Sequence, residues 1–261
     1  MPLPNILASP HWQVFSAIAY APQGPVGDPP AQWAGHLPDG AVLPEWLEQL
    51  PADGIDRAAV REICLNPAMP VEVGYICAMA WGKQGVGPNG ALHRLSAFNA
   101  LPIFAPRLQA LGQGGLSRIQ AYNLFALPAG NNVPGLGPAF FTKLLYFFSP
   151  EPSMYIMDQW TAKSVNLLNG QLLVKMNGNQ VHNQNKSGNY QAYCEDIDAI
   201  ANVMQCPGQQ IEEMLFSNGG HHPGAWRAYV RAYWPAFAAE TPAYNANNVA
   251  MLYPHIYADN F

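Results

Sequence analysis

Two charged residues in an apolar stretch set the first chemical question. Between Arg118 and Lys163, Lys143 and Asp158 are the only ionisable groups besides Glu151 and the tyrosines. Lys143 sits within AFFTKLLYFF, where a charged amine is costly to bury unless it is paired. Desolvation depresses a lysine's pKa, and a neutral amine is a nucleophile. Asp158 comes ten residues after Phe148, a lone carboxylate at the start of the next helical segment. Each residue alone has a plainer reading. Lys143 can snorkel from a helix edge, and Asp158 can cap the next helix with Thr161 and Ala162 as N3 and N4. Their conjunction in the 28-residue window 133–160 favours chemistry over both.

The elements that position them begin with a Gly-x-Gly turn. Gly135 and Gly137 can take positive φ and let backbone approach a ligand with no Cβ in the way. Pro138 suits the first turn of a helix, where its missing N–H is no loss. The freed N–H groups of that helix, with the dipole behind them, suit a DNA phosphate. A third glycine is absent and no β-rich run precedes the turn, so the window fails as a dinucleotide-binding fingerprint.

This window, VPGLGPAFFTKLLYFFSPEPSMYIMDQW, resembles the helix-hairpin-helix DNA glycosylases, the base-excision superfamily that includes the 8-oxoguanine DNA glycosylases. There a Gly-rich hairpin leads into a helix bearing a catalytic lysine, and an aspartate follows. The resemblance implies Lys143 as nucleophile and Asp158 as its electrostatic partner. It implies backbone contacts to DNA at Val133, Gly135, Gly137 and Ala139. The familiar enzymes carry the lysine two residues beyond the second hairpin glycine, where this chain has Ala139; Lys143 lies four residues further on, one helical turn along the same face. The longer hairpin LPAGNNVPGLGP is a second departure. With both departures the window resembles the divergent archaeal-type 8-oxoguanine glycosylases and their bacterial relatives, some of which remove hypermodified cytosines from phage DNA, more than the eukaryotic enzyme.

Charge distribution agrees with a polyanionic partner although the net charge is −5. Residues 1–72 hold eight acids and two arginines, and residues 195–261 hold seven acids and two arginines. Residues 73–194 hold eight basic groups against Glu151 and Asp158, a local footprint for a polyanion, which the resemblance makes double-stranded DNA. Within that part Lys83 and Arg118 are candidate phosphate contacts. Trp81, at the head of a Gly-rich turn, could wedge a duplex or stack on a base, though a buried tryptophan at a helix end is the simpler assignment. Gln159 and Trp160, next to Asp158, are candidates for a base pocket. Asn131 and Asn132 suit turns, and His221 with His222 reads as a solvated pair before Pro223.

Composition supplies the remaining bounds. Apolar residues make up 49% and charged residues 11%, well under the usual quarter. No run approaches 18 consecutive apolar residues, and the first twelve residues lack a basic leader. Cys64, Cys77, Cys194 and Cys206 form no C-x-x-C pair, so reduced buried thiols are expected and no metal or other cofactor. A cytoplasmic monomer with no membrane association is the expectation.

Apolar spacing is helical nearly throughout, which predicts an all-α chain. Helices are expected over 11–21, 44–50, 55–65, 71–81, 92–111 with a break at Pro102, 116–127, 138–148, 158–168, 190–204, 209–216 and 224–239. Residues 21–40 read as a loop, and 169–189 as a loop with a short strand pair. Glu212 and Glu213 are placed in a first helical turn, where they would suit the macrodipole. The tail from Thr241 has no helical period. As one glycosylase unit, the chain would place the basic part 73–194, with hairpin and active site, between acidic flanking parts. The resemblance implies two helical subdomains with the hairpin at the cleft between them. The implied reaction flips a modified base out of the duplex and cleaves its N-glycosidic bond, with lysine or water as nucleophile. Two alternatives stand beside it: a non-catalytic helical module gripping phosphates with the hairpin, and an unrelated enzyme binding a nucleotide phosphate at the GLG turn.

Overall fold

The computed structural model describes residues 3–85, 89–126, 133–219 and 222–241. Asn131, Asn132, His221 and the tail from residue 242 lie outside the described residues. The N-terminal third forms α1 (Leu3–Ala8), α2 (Trp12–Ser16), α3 (Pro30–Gly35), α4 (Pro44–Leu47) and α5 (Arg57–Leu65). Next come α6 (Val71–Trp81), α7 (Gly90–Asn99), α8 (Leu101–Gly112) and α9 (Arg118–Phe125). After them run α10 (Pro138–Phe148) and α11 (Gln159–Asn169), then the antiparallel pair β1 (Met176–Asn177) and β2 (Gln180–Val181). The chain continues through α12 (Ser187–Met204) and α13 (Gly208–Phe216). A second antiparallel pair, β3 (Asn218–Gly219) and β4 (His222–Pro223), leads into α14 (Ala225–Glu240). The fold is all-α, as the apolar spacing predicts.

Three departures from the predicted elements have physical causes. Residues 21–40 are not wholly loop, because Pro30 opens α3 and Trp33 is fully buried, its indole N–H donating to Gln84 O at 2.9 Å. The break in 92–111 falls at Ala100, which caps both α7 and α8, and Pro102 sits in the first turn of the second helix rather than interrupting one. α13 starts at Gly208, which moves Glu212 past the first turn and onto the buried face. Gly74 lies buried within α6. A Cβ there would lie 3.0 Å from Phe148 Cζ and 3.2 Å from Cys64 Sγ, so glycine is what lets α5, α6 and α10 close up.

The helices fall into two packed groups. α3, α5, α6, α8 and α10 form one, and α1, α11, α12, α13 and α14 form the other; α9 touches α8 and α10 on one side and α12 on the other. α10 is buried at every position from Phe141 to Phe148, which is why its sequence is apolar all round. Phe147, fully buried against the edge of Trp81 with ring centroids 5.1 Å apart, illustrates the cost of disturbing it: truncation to alanine typically costs about 3–5 kcal/mol. No helix among the described residues is long and apolar enough to cross a membrane.

Candidate active site

A cleft of about 770 Å³ opens between the two helix groups, a size typical of ligand sites. One wall is built by the end of α6 and the turn after it (Trp81, Gly82, Lys83, Gln84), by Val133, Gly135 and Gly137, and by Ala139, Phe140 and Lys143 of α10. The opposite wall carries Asp158, Gln159 and Trp160, then Asn179 to Val181, Asn183, Phe216 and Arg227. Of the eleven residues that the sequence singles out, all but Arg118 therefore border one cavity.

The approach to α10 explains both glycines of the turn, though not identically. Leu136 N–H donates to Val133 O at 3.0 Å across Pro134 and Gly135, and Gly135 sits at φ +79, the geometry of a type II turn. Gly137 does not take positive φ, contrary to expectation; it is extended at φ −73. Its glycine instead leaves room for Asn183, since a Cβ would lie 2.6 Å from Asn183 Oδ1 and push that exposed side chain aside. Pro138 opens the helix as predicted.

Lys143 is 6% exposed, and its amine donates to Ala139 O at 2.6 Å and stands 4.7 Å from the Phe140 ring centroid. Its stem crosses Gly82 so closely that a Cβ there would lie 2.7 Å from Lys143 Cδ. Burial lowers the amine's pKa from its ordinary value, the charge of Asp158 working in the opposite direction. Asp158 is 8% exposed and caps α11: Oδ1 accepts from Trp160 N at 2.7 Å and Thr161 N at 3.1 Å. Asp158 N–H donates in turn to Thr161 Oγ1 at 3.0 Å, completing a capping box. The cap reading of Asp158 is thus correct, and it does not compete with a chemical one, because Oδ2 takes no hydrogen bond among the described residues. The ion pairs among them are Arg57–Glu212 and Arg118–Asp198, so Lys143 and Asp158 share a field without pairing.

The remaining candidates divide. Lys83 is exposed at the cleft rim at φ +56. Trp81 is 4% exposed, edge-on to Phe147, so it is a core residue whose surface also floors the cleft. With its amide turned to suit its neighbours, Gln159 donates to Asn179 O at 2.6 Å and accepts from Trp160 Nε1–H at 3.2 Å, closing that corner. Arg118 requires a correction. It lies away from the cleft, donating to Ser153 O at 2.8 Å and pairing with Asp198 at 2.7 Å, and a guanidinium so occupied is not free for a phosphate. Glu212 likewise serves no macrodipole; it is fully buried in an ion pair with Arg57 at 2.5 Å.

Sequence reasoning misses Arg227 altogether. It comes from the acidic C-terminal part yet lines the cleft, held by Phe216 O through Nε at 2.9 Å. Burial lowers its pKa to about 10. Only an unusual pair of arginines in an acidic segment could have signalled it.

Residues 20–216 match the model of the family described as "Putative 8-oxoguanine DNA glycosylase OGG-like protein". No curated protein and no solved structure matches the chain significantly.

Proposed function

We propose base excision from DNA for this chain, which belongs to the 8-oxoguanine DNA glycosylase OGG-like family. The observation that carries the proposal is the separation of Lys143 from Asp158. Both border one cleft and each is anchored by its own backbone contacts, so neither charge neutralises the other. A burial-depressed amine is a nucleophile, and a fixed carboxylate stabilises an oxocarbenium-like sugar.

In the proposed reaction a modified nucleotide is flipped into the cleft, because its glycosidic carbon is unreachable in the stack. Phe140 offers aromatic surface there, and the turn at Gly135, with Lys83 at the rim, holds the strand through backbone N–H groups and charge. The C1′–N bond breaks and the base leaves with the electron pair. Lys143 Nζ forms the new bond to C1′ and gives up a proton. Ring opening then yields a Schiff base and a route to strand cleavage.

The proposed substrate is an 8-oxoguanine-like base or a bulky modified cytosine of phage DNA. Single-turnover excision assays on duplexes carrying 8-oxoguanine, uracil or glucosylated hydroxymethylcytosine separate these choices. Binding to all duplexes with release of no base would convert the reading to a phosphate-gripping module.

A further inference from the structure

A cluster of cations gathers around Trp160, which lines the cleft together with Arg227. Around the indole of Trp160, Lys163 Nζ lies 4.9 Å from the ring centroid, the Arg227 guanidinium carbon 4.9 Å and the Arg231 guanidinium carbon 5.6 Å. Lys163 is held by Asn179 Oδ1 at 2.8 Å, and Arg227 by Phe216 O. These anchors are neutral. No ion pair among the described residues ties any of the three to a carboxylate. Among the described residues, Asp158 is the carboxylate whose charge acts on Lys163 and Arg227, while Arg231 repels both. Three cations against one carboxylate leave excess positive charge on a partly desolvated surface, a costly arrangement until an anion arrives.

Proximity to the reaction centre narrows the anion. Trp160 is two residues from Asp158 and donates its backbone N–H to that carboxylate at 2.7 Å. Two of the three cations are arginines; Phe216 O takes Nε and one Nη of Arg227, which fixes that guanidinium, and the exposed Arg231 keeps the fork that matches phosphate oxygens. Both lie on α14, beyond the residues 20–216 that match the family.

We propose that Lys163, Arg227 and Arg231 form a phosphate clamp that holds the backbone of the target strand beside the flipped nucleotide, with Trp160 as the platform that aligns them. The inference rests on the base-excision reading. It also assigns Trp160 to the cations rather than to base stacking.

The test needs no knowledge of the excised base. The probe is a duplex carrying a tetrahydrofuran abasic-site analogue, with affinity measured by anisotropy across a salt series. Arg231 is exposed, so Arg231→Gln should leave the fold intact. The expected result is weaker binding at low salt and a salt slope smaller by about 0.9, the value for one phosphate no longer neutralised, with Arg231→Lys restoring most of both. Methylphosphonate substitutions placed singly along the analogue strand then locate the phosphate that Arg231 meets. One position flanking the analogue should weaken the wild type and have no further effect on Arg231→Gln. An unchanged salt slope, or losses that add at every position, overturns the clamp while leaving base excision standing. Absence of wild-type binding to any duplex overturns both.

Discussion

Two cation–carboxylate couples share one electrostatic neighbourhood, and they are built in opposite ways. Arg57 of α5 and Glu212 of α13 close at 2.5 Å with side chains 8% and 0% exposed, and the guanidinium also lies over the rings of Tyr146 and Trp81. Lys143 of α10 and Asp158 at the head of α11 feel each other's charge yet do not close. The lysine amine turns to Ala139 O, and the carboxylate takes the first N–H groups of its own helix. A buried pair that closes is neutral outside itself and serves the fold. A couple held apart at a cleft leaves the amine and the carboxylate each available to a third group, which is the arrangement that displacement at a sugar carbon needs.

Breaking the closed couple gives the largest expected effect. Glu212→Gln leaves Arg57 buried and uncompensated, so unfolding free energy should fall by about 3–5 kcal/mol in denaturant titration. Lys143→Gln should instead preserve or raise stability, because it removes a buried charge with no ion partner. Equal destabilisation by both substitutions would erase the distinction between the couples.

On catalysis the order reverses. Asp158→Asn keeps a capping oxygen but loses the charge, and base release should fall by about 10²–10³ with DNA affinity nearly intact. Undiminished turnover would remove Asp158 from the mechanism. Gly82→Ala probes how Lys143 is aimed, since the new methyl would strike its stem. A misplacement of about 1 Å can cost up to about 10²-fold, and a loss of about tenfold in rate with little change in melting temperature is expected.

The smallest effect is in pH. Burial lowers the Lys143 pKa from 10.5, so its neutral form is reached earlier than in the unfolded chain. Stability tied to this group should therefore rise as pH climbs from the lowered folded value towards 10.5, and excision should rise through a midpoint below 10.5 that Asp158→Asn shifts further down. A rate independent of pH across that range would argue that no amine titrates in the step.

Local signals in the sequence were enough for one wall of the cleft and not for the other. The wall from Gly135 to Lys143 is contiguous, and each of its features leaves a mark: Gly135 for the turn, Pro138 for the helix start, a single lysine in an apolar run. The same holds for Asp158, whose cap is written in Thr161. Gly82 and Asn183 carry no such mark, because their roles are defined only by what packs against them. Arg227 reaches the cleft, and Arg231 the Trp160 ring, through the packing of α14 on α11, which joins an acidic segment to the basic part of the chain. Arg118 failed as a phosphate contact for the complementary reason. Its segment is basic, but Asp198 from the flanking part had already claimed it. Regional charge counts say where cations are in the chain and not which of them meet a carboxylate after folding.

The proposed mechanism turns on Lys143 being held as a nucleophile beside a carboxylate that does not neutralise it. Borohydride trapping tests this most directly, using a duplex whose modified base the wild-type protein releases. A covalent protein–DNA adduct at Lys143 is expected, lost together with excision in Lys143→Gln. Release of the base with no trapped adduct, abasic sites left uncleaved and residual activity in Lys143→Gln would contradict that mechanism and assign the attack to water.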